Sequence, residues 1–164
     1  MLKPSSQTPL ATLYLGEIMY KIGLPAGVVN IIAGPAGELG QALNSSRIPK
    51  MITLIGSTET GRQVMAQGAT SVKTYSLELG GNAPCIIMED GDVETAARLA
   101  VISQVSNTGQ TCIGYNRIYV HESRYEEFCQ KVLEGFQKVT IGSGRDPGEM
   151  VMGPMISPKE RNRV

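Results

Sequence analysis

Apolar residues recur along this chain with two alternating rhythms. From Pro9 to Ile22, Leu10, Leu13, Tyr14, Ile18 and Met19 fall near the spacing of one helical face, and Gly23 and Pro25 close the segment. Val28 to Ile32 is short, β-branched and flanked by glycine, which predicts a buried strand. A short helix over Glu38–Leu43, a second buried strand over Met51–Ile55, a helix over Ser57–Gln67 and a strand over Val72–Leu77 come next. Such alternation predicts an α/β fold built as part of a doubly wound parallel sheet. After Gly80-Gly81 the texture changes. The pattern there predicts a strand over Pro84–Met88, an amphipathic helix over Val93–Val105, a glycine-bearing loop over Asn107–Gly114, a strand over Arg117–Val120 and a helix over Tyr125–Val139. Beyond Ile141 glycine and proline replace periodicity, and Glu160 to Val164 read as the start of a helix. The change at Gly80-Gly81 divides the chain into two partial domains, 1–80 and 81–164. Both ends read as cut: Leu2-Lys3-Pro4 opens as if leaving a strand, and the sheet lacks its first half.

Composition narrows the class. Hydrophobic residues are 41% and charged residues 18% of the 164, a globular balance. Fifteen basic and fifteen acidic side chains cancel, so nothing points to nucleic acid. The longest apolar runs are too short to span a bilayer, and no leader is visible at Met1. Three irregularly spaced cysteines suit a reducing compartment, with the cytoplasm as the default. No His/Cys/Asp cluster has metal-ligand spacing, so no metal is expected.

Four segments carry candidate chemistry. Asn107-Thr108-Gly109-Gln110-Thr111-Cys112 joins a helix to a strand, and a thiol on such a loop is placed as a nucleophile; alone, Cys112 reads more readily as a small core hydrophobe, as free cysteines usually are. Glu78 sits between Leu77 and Leu79 at a strand end, where partial desolvation would suit a general base; its alternative is an edge carboxylate in water. Gly56-Ser57-Thr58-Glu59-Thr60-Gly61 opens a helix whose N-terminal amides suit a phosphate, or Ser57 is simply its N-cap. Gly34-Pro35-Ala36-Gly37-Glu38-Leu39-Gly40 reads as turn chemistry. His121 reads as a solvated turn residue, Arg117 as structural, and Cys85 and Cys129 as core fillers.

In their order along the chain, these segments resemble the aldehyde dehydrogenase superfamily from end to end. Lys3-Pro4-Ser5-Ser6-Gln7-Thr8-Pro9-Leu10 is similar to the family's adenosine-binding segment, Leu24-Pro25-Ala26-Gly27-Val28-Val29-Asn30 to its next strand entry, and Gly56–Gly61 to its pyrophosphate turn. Leu77-Glu78-Leu79-Gly80-Gly81-Asn82-Ala83-Pro84 is similar to the general-base segment, Gly109-Gln110-Thr111-Cys112 to the nucleophile loop, and Gly153-Pro154 with the adjoining Met155 and Ile156 to a further segment. The Gln-Thr-Cys loop and the Met-Gly-Pro-Met-Ile tail look most like the succinate-semialdehyde dehydrogenase group. The resemblance implies a Rossmann-like coenzyme domain joined to the start of a catalytic domain, acting in full-length form as a homo-oligomer on a small aldehyde. It makes Cys112 the nucleophile and Glu78 the base, and gives NADP or NAD contacts to Lys3, Ser5, Ser6, Gly56, Ser57 and Leu79. Ser6 stands where NAD-preferring relatives carry a glutamate, which inclines the choice toward NADP. A second oxyanion donor would lie upstream of Met1, so the piece alone is expected to bind cofactor poorly and turn over little. A relative that keeps the fold without the catalysis, as a structural or regulatory partner, is the alternative.

Overall fold

The computed structural model describes residues 1–146, 148 and 150–163, and separates them into two compact units, Met1–Leu79 and Gly80–Val164. Among the described residues no helix is long and apolar enough to cross a membrane. All strand pairs among the described residues are parallel, which makes the chain α/β.

In the first unit, helix α1 spans Leu10–Lys21. Gly23 ends it at φ 77°, a left-handed conformation that glycine adopts freely. The Leu24 amide then donates to Met19 O (3.0 Å) and the Gly23 amide to Tyr20 O (3.0 Å), closing a Schellman turn. Helix α2 (Ala36–Ser45) begins behind Pro35, and α3 (Thr58–Gly68) behind Ser57, whose Oγ accepts from the Thr60 amide (3.1 Å). The two helices are joined by Asn44, buried, whose Nδ2 donates to Gln67 Oε1 (2.8 Å). Strand β1 (Met51–Ile55) runs parallel to β2 (Thr74–Glu78), with Met51 opposite Thr74 and Ile55 opposite Glu78.

Two sequence expectations are corrected here. The strand over Val28–Ile32 shrinks to one bridge, Ile31 with Leu2, because the chain is still turning: Gly27 has φ 87°, the Val28 amide donates to Pro25 O (3.3 Å) and Asn30 Nδ2 to Gly27 O (2.9 Å). Nor are the strands of this unit buried. Ile55 is 83% exposed, and Val72, expected to begin β2, is 97% exposed and precedes it. A parallel pair is buried only when both of its faces are covered, and within this unit β1 alternates between exposed and half-buried positions.

The second unit encloses a core. Strand β3 (Ala83–Ile87) pairs parallel with β4 (Tyr115–Val120), and the register slips between Ala83 and Pro84. Pro84 has no amide to give a ladder, so an irregularity is where a strand can hold it. Helix α4 (Val93–Val105) starts at Asp92, whose Oδ1 accepts from the Thr95 amide (3.1 Å); that bond holds the Asp92 carboxyl below its ordinary pKa. Val93, Ala97, Ala100 and Val101 are buried along one stripe of α4. Helix α5 (Tyr125–Gln137), entered through a 3₁₀ turn at Glu122–Arg124, buries Phe128 in the cluster with Ile87, Val93, Ala97 and Ala100. Cys85, Ile118, Val120 and Val132 pack around that cluster. The Lys131 ammonium pairs with Glu94 across the helices, which raises the lysine's pKa. Cys129 is exposed rather than a core filler, because Phe128 takes the inward position and the next residue turns about 100° away. The tail forms two-residue strands, β5 (Thr140–Ile141) and β6 (Val151–Met152), and a short helix, α6 (Pro158–Arg161), capped by Ser157. Of the helix start expected over Glu160–Val164, Val164 lies outside the described residues.

Candidate catalytic and cofactor-binding segments

Two groups of expected site residues lie in the first unit. The Leu2–Ile31 bridge lays the opening segment beside the entrance to α2: the Leu2 amide donates to Asn30 O (2.8 Å) and the Ile32 amide to Leu2 O (3.0 Å). A hollow of about 160 Å³ results, lined by Pro4, Ser5, Ser6, Pro9, Ala33, Gly34 and Pro35. Both serines are exposed, while Pro4 is buried beneath them. Lys3 is half-buried, with its ammonium donating to Pro4 O (2.8 Å). Gly34 and Pro35, which the sequence assigns to turn chemistry alone, thus share a wall with Ser5 and Ser6. The bridge that unites them spans 29 residues, beyond the reach of any local pattern; only the glycine-rich composition marked the segment.

The second group gathers at the C-terminal edge of the β1–β2 pair, where parallel sheets place their ligands. The Gly56 amide donates to Glu78 O (3.0 Å), and Ser57 comes next as the cap of α3. Capping uses one lone pair of the Ser57 hydroxyl, which also lies 2.8 Å from Thr60 Oγ1. Leu79 reaches under the first turn of α3: a Cβ on Gly61 would lie 3.0 Å from its Cδ2. Glu78 is exposed, contrary to the desolvation expected of it; as the last residue of a strand with an open end it faces water. Among the described residues its carboxylate has no hydrogen-bond or ion-pair partner.

Cys112 lies in the second unit, exposed, on a turn between α4 and β4. A 3₁₀ segment over Ser106–Gly109 carries three consecutive left-handed residues: Asn107 (φ 51°), Thr108 (φ 56°) and Gly109 (φ 73°). Asparagine tolerates that region and glycine favours it; a β-branched threonine there is strained. Side chains hold the turn shut. Asn107 Nδ2 donates to Gln110 O (3.0 Å), and Gln110 Nε2 returns a bond to Asn107 O (2.9 Å). Thr108 Oγ1 lies 2.6 Å from Asn107 O and 3.4 Å from Met155 Sδ. After the cysteine, the Gly114 amide donates to Thr111 O (3.0 Å) and the Tyr115 amide to Ser103 Oγ (3.0 Å), while Gln104 Nε2 donates to Tyr115 O (2.8 Å). Among the described residues the Cys112 amide has no acceptor. The other cysteines differ. Cys85 is half-buried against the core, and Cys129 accompanies Tyr125, whose hydroxyl pKa is raised by its hydrogen bond to that thiol. His121 is exposed, its Nδ1 beside Ser123, and Arg117 is an exposed residue of β4.

This chain is 46% identical over all of its 164 residues to 3,6-anhydro-α-L-galactose dehydrogenase of Vibrio sp. (strain EJY3), and spans 34% of that protein. Over the same residues it is 44% identical to the NADP(+) succinate-semialdehyde dehydrogenase of Escherichia coli (strain K12), again spanning 34%. A crystal structure of an NADP-dependent enzyme of E. coli superposes with a TM-score of 0.91 at 44% identity, covering 96% of this chain and 33% of that one. The chain thus spans about a third of the length of the relatives it matches. Residues 1–164 match the model of the aldehyde dehydrogenase family, and the chain belongs to that family.

Proposed function

We propose that the polypeptide carrying these residues oxidises a small aldehyde to a carboxylic acid, using NADP or NAD as hydride acceptor. The observation that carries this reading is the Cys112 turn: an exposed thiol, an uncommitted amide on the same residue, and a strained, side-chain-locked backbone leading into it. Strain of this kind gathers at functional sites, where rigid presentation is part of the mechanism.

In this reading the Cys112 sulphur, as thiolate, attacks the carbonyl carbon, and the oxygen takes the electron pair as an oxyanion. The Cys112 amide donates to that oxyanion, a contribution of ~3 kcal/mol for one donor. Collapse of the thiohemiacetal expels hydride and leaves a thioester on Cys112. Glu78 takes a proton from water as that water attacks the thioester; the acid leaves and the thiol is restored. An exposed Glu78 has the water it needs within reach.

The residues of the first unit fit a nicotinamide dinucleotide, which when bound supplies the hydride acceptor. Lys3 offers a cation, Ser5 and Ser6 offer hydroxyls at the rim of the hollow, and the first amides of α3 offer N–H groups to phosphate. Ser6 sets no carboxylate against a 2′-phosphate, and Lys3 supplies a point charge for one, so NADP is favoured. Because the relatives are about three times as long, activity belongs to the complete polypeptide, and these residues alone turn over little aldehyde. Succinate semialdehyde, the aldehyde in the name of the E. coli relative, is the first substrate to try. The test is to quench the full polypeptide with aldehyde and NADP in the steady state and weigh its peptides. An acyl adduct on the peptide of Cys112 is expected; an adduct on Cys85 or Cys129, or none while acid accumulates, removes the mechanism.

A further inference from the structure

We infer that Gly81 is a positioning residue for Cys112, because its missing side chain is what lets the two backbones meet. The inference rests on Cys112 acting as proposed above. A Cβ on Gly81 would lie 2.2 Å from the Cys112 carbonyl oxygen, 3.3 Å from its carbonyl carbon and 4.0 Å from its Cα. All three obstructing atoms are backbone, so no rotamer change relieves the clash; the backbone at Gly81 and the Cys112 peptide have to move apart. Gly81 is outside the left-handed region, so its own conformation does not demand glycine. Only the contact does.

The Cys112 peptide has little slack to absorb a push. On one side the left-handed run from Asn107 to Gly109 is locked by the paired Asn107 and Gln110 amides. On the other, the Gly114 amide binds Thr111 O, and Tyr115 is tied to Ser103 and Gln104 of α4. A displacement at the carbonyl therefore passes to the Cα, and with it to the sulphur and to the amide that would hold the oxyanion. Reacting groups aligned at about 3–3.5 Å lose roughly a hundredfold in rate when misplaced by about 1 Å.

Two other glycines of the same unit calibrate the effect. A Cβ on Gly114 would lie 3.1 Å from Thr111 O, a milder push on the same turn. A Cβ on Gly91 would lie 3.1 Å from Met88 O, equal crowding between β3 and α4, at the strand end opposite Cys112. In the full-length polypeptide, Gly81→Ala is expected to lower kcat roughly a hundredfold. KM for aldehyde and Kd for NADP should stay within about twofold, and the iodoacetamide alkylation rate of Cys112 should change, as for a lost transition-state interaction. Gly114→Ala should lower kcat less, and Gly91→Ala not at all. If Gly81→Ala does not fold, the Gly114→Ala and Gly91→Ala pair decides. Wild-type kcat and alkylation in Gly81→Ala, or equal behaviour of Gly114 and Gly91 variants where Gly81→Ala is insoluble, overturns the inference. Cys112→Ser separates its failure from that of the nucleophile: an active Cys112→Ser removes both readings, and a dead Cys112→Ser beside a normal Gly81→Ala removes the positioning alone.

Discussion

The two units are made of the same kinds of element, yet only one encloses its apolar residues. In Gly80–Val164, α4 and α5 close over β3 and β4, leaving Ala97 2% and Phe128 6% exposed. In Met1–Leu79, α1 buries none of its residues, and Val64 is the one buried large apolar side chain among the described residues. Helices α2 and α3 meet instead through the Asn44–Gln67 amide pair. The difference teaches that hydrophobic rhythm states which residues seek cover, and that cover depends on partners the rhythm does not name. It also divides the candidate residues: the unit with the enclosed core carries Cys112, and the open one carries the segments proposed for the cofactor.

Glu78 tests that division most severely, because it lies in the open unit but is proposed for a chemical step. Glu78→Gln should slow thioester hydrolysis by about 10²–10⁴-fold, the range for general-base catalysis, and leave a burst of reduced cofactor before a slow phase. Loss of the burst itself in stopped-flow traces would move the carboxylate's role to the thiol. The stability contrast comes next. In chemical unfolding of the 164-residue chain, Phe128→Ala should cost about 3–5 kcal/mol, and Leu13→Ala, at a position 40% exposed on α1, less than about 1 kcal/mol. Equal costs would erase the contrast. Ser6→Glu should shift cofactor preference from NADP toward NAD by roughly 1–3 kcal/mol in kcat/KM while leaving the alkylation rate of Cys112 unchanged. A wild-type enzyme that strongly prefers NAD would reduce Ser6 to part of a loop.

The smallest effect is a pH dependence confined to the closed unit. The Asp92 carboxyl, held low by the Thr95 amide, binds its proton more weakly folded than unfolded. Its contribution is therefore present above about pH 3.8 and fades as pH falls below that value. Acid titration followed by helix signal should show wild type losing ground to Asp92→Asn there, since asparagine caps without a charge. An unchanged difference between the two from neutral pH to pH 3 would leave the charge without a role.

Most of the element sequence was legible because its determinants are local. Gly23 after the apolar stripe of α1, Ser57 before α3 and Val93–Val105 as one amphipathic run are all set by neighbours within a turn. What was missed depends on distance or on a partner. The Leu2–Ile31 bridge builds the hollow that Gly34 and Pro35 share with the serines, and β5 with β6 is a pair too short to leave a rhythm. The exposure of Cys129 was within reach: Phe128 and Val132 are four apart on one face, which puts the cysteine off it. Asn107 hinted at a left-handed turn; nothing about a threonine foretells Thr108 at φ 56°.

That threonine has an evolutionary consequence. A β-branched residue held left-handed costs about 1–3 kcal/mol, and Thr108→Asn would recover part of it, since asparagine accepts the conformation readily. Selection for heat resistance alone would thus favour replacing it, at the loss of a hydroxyl in contact with Gln110 and the Asn107 carbonyl in the turn that leads into Cys112. A library varied at position 108 should therefore separate tolerance of heat from the activity proposed for Cys112.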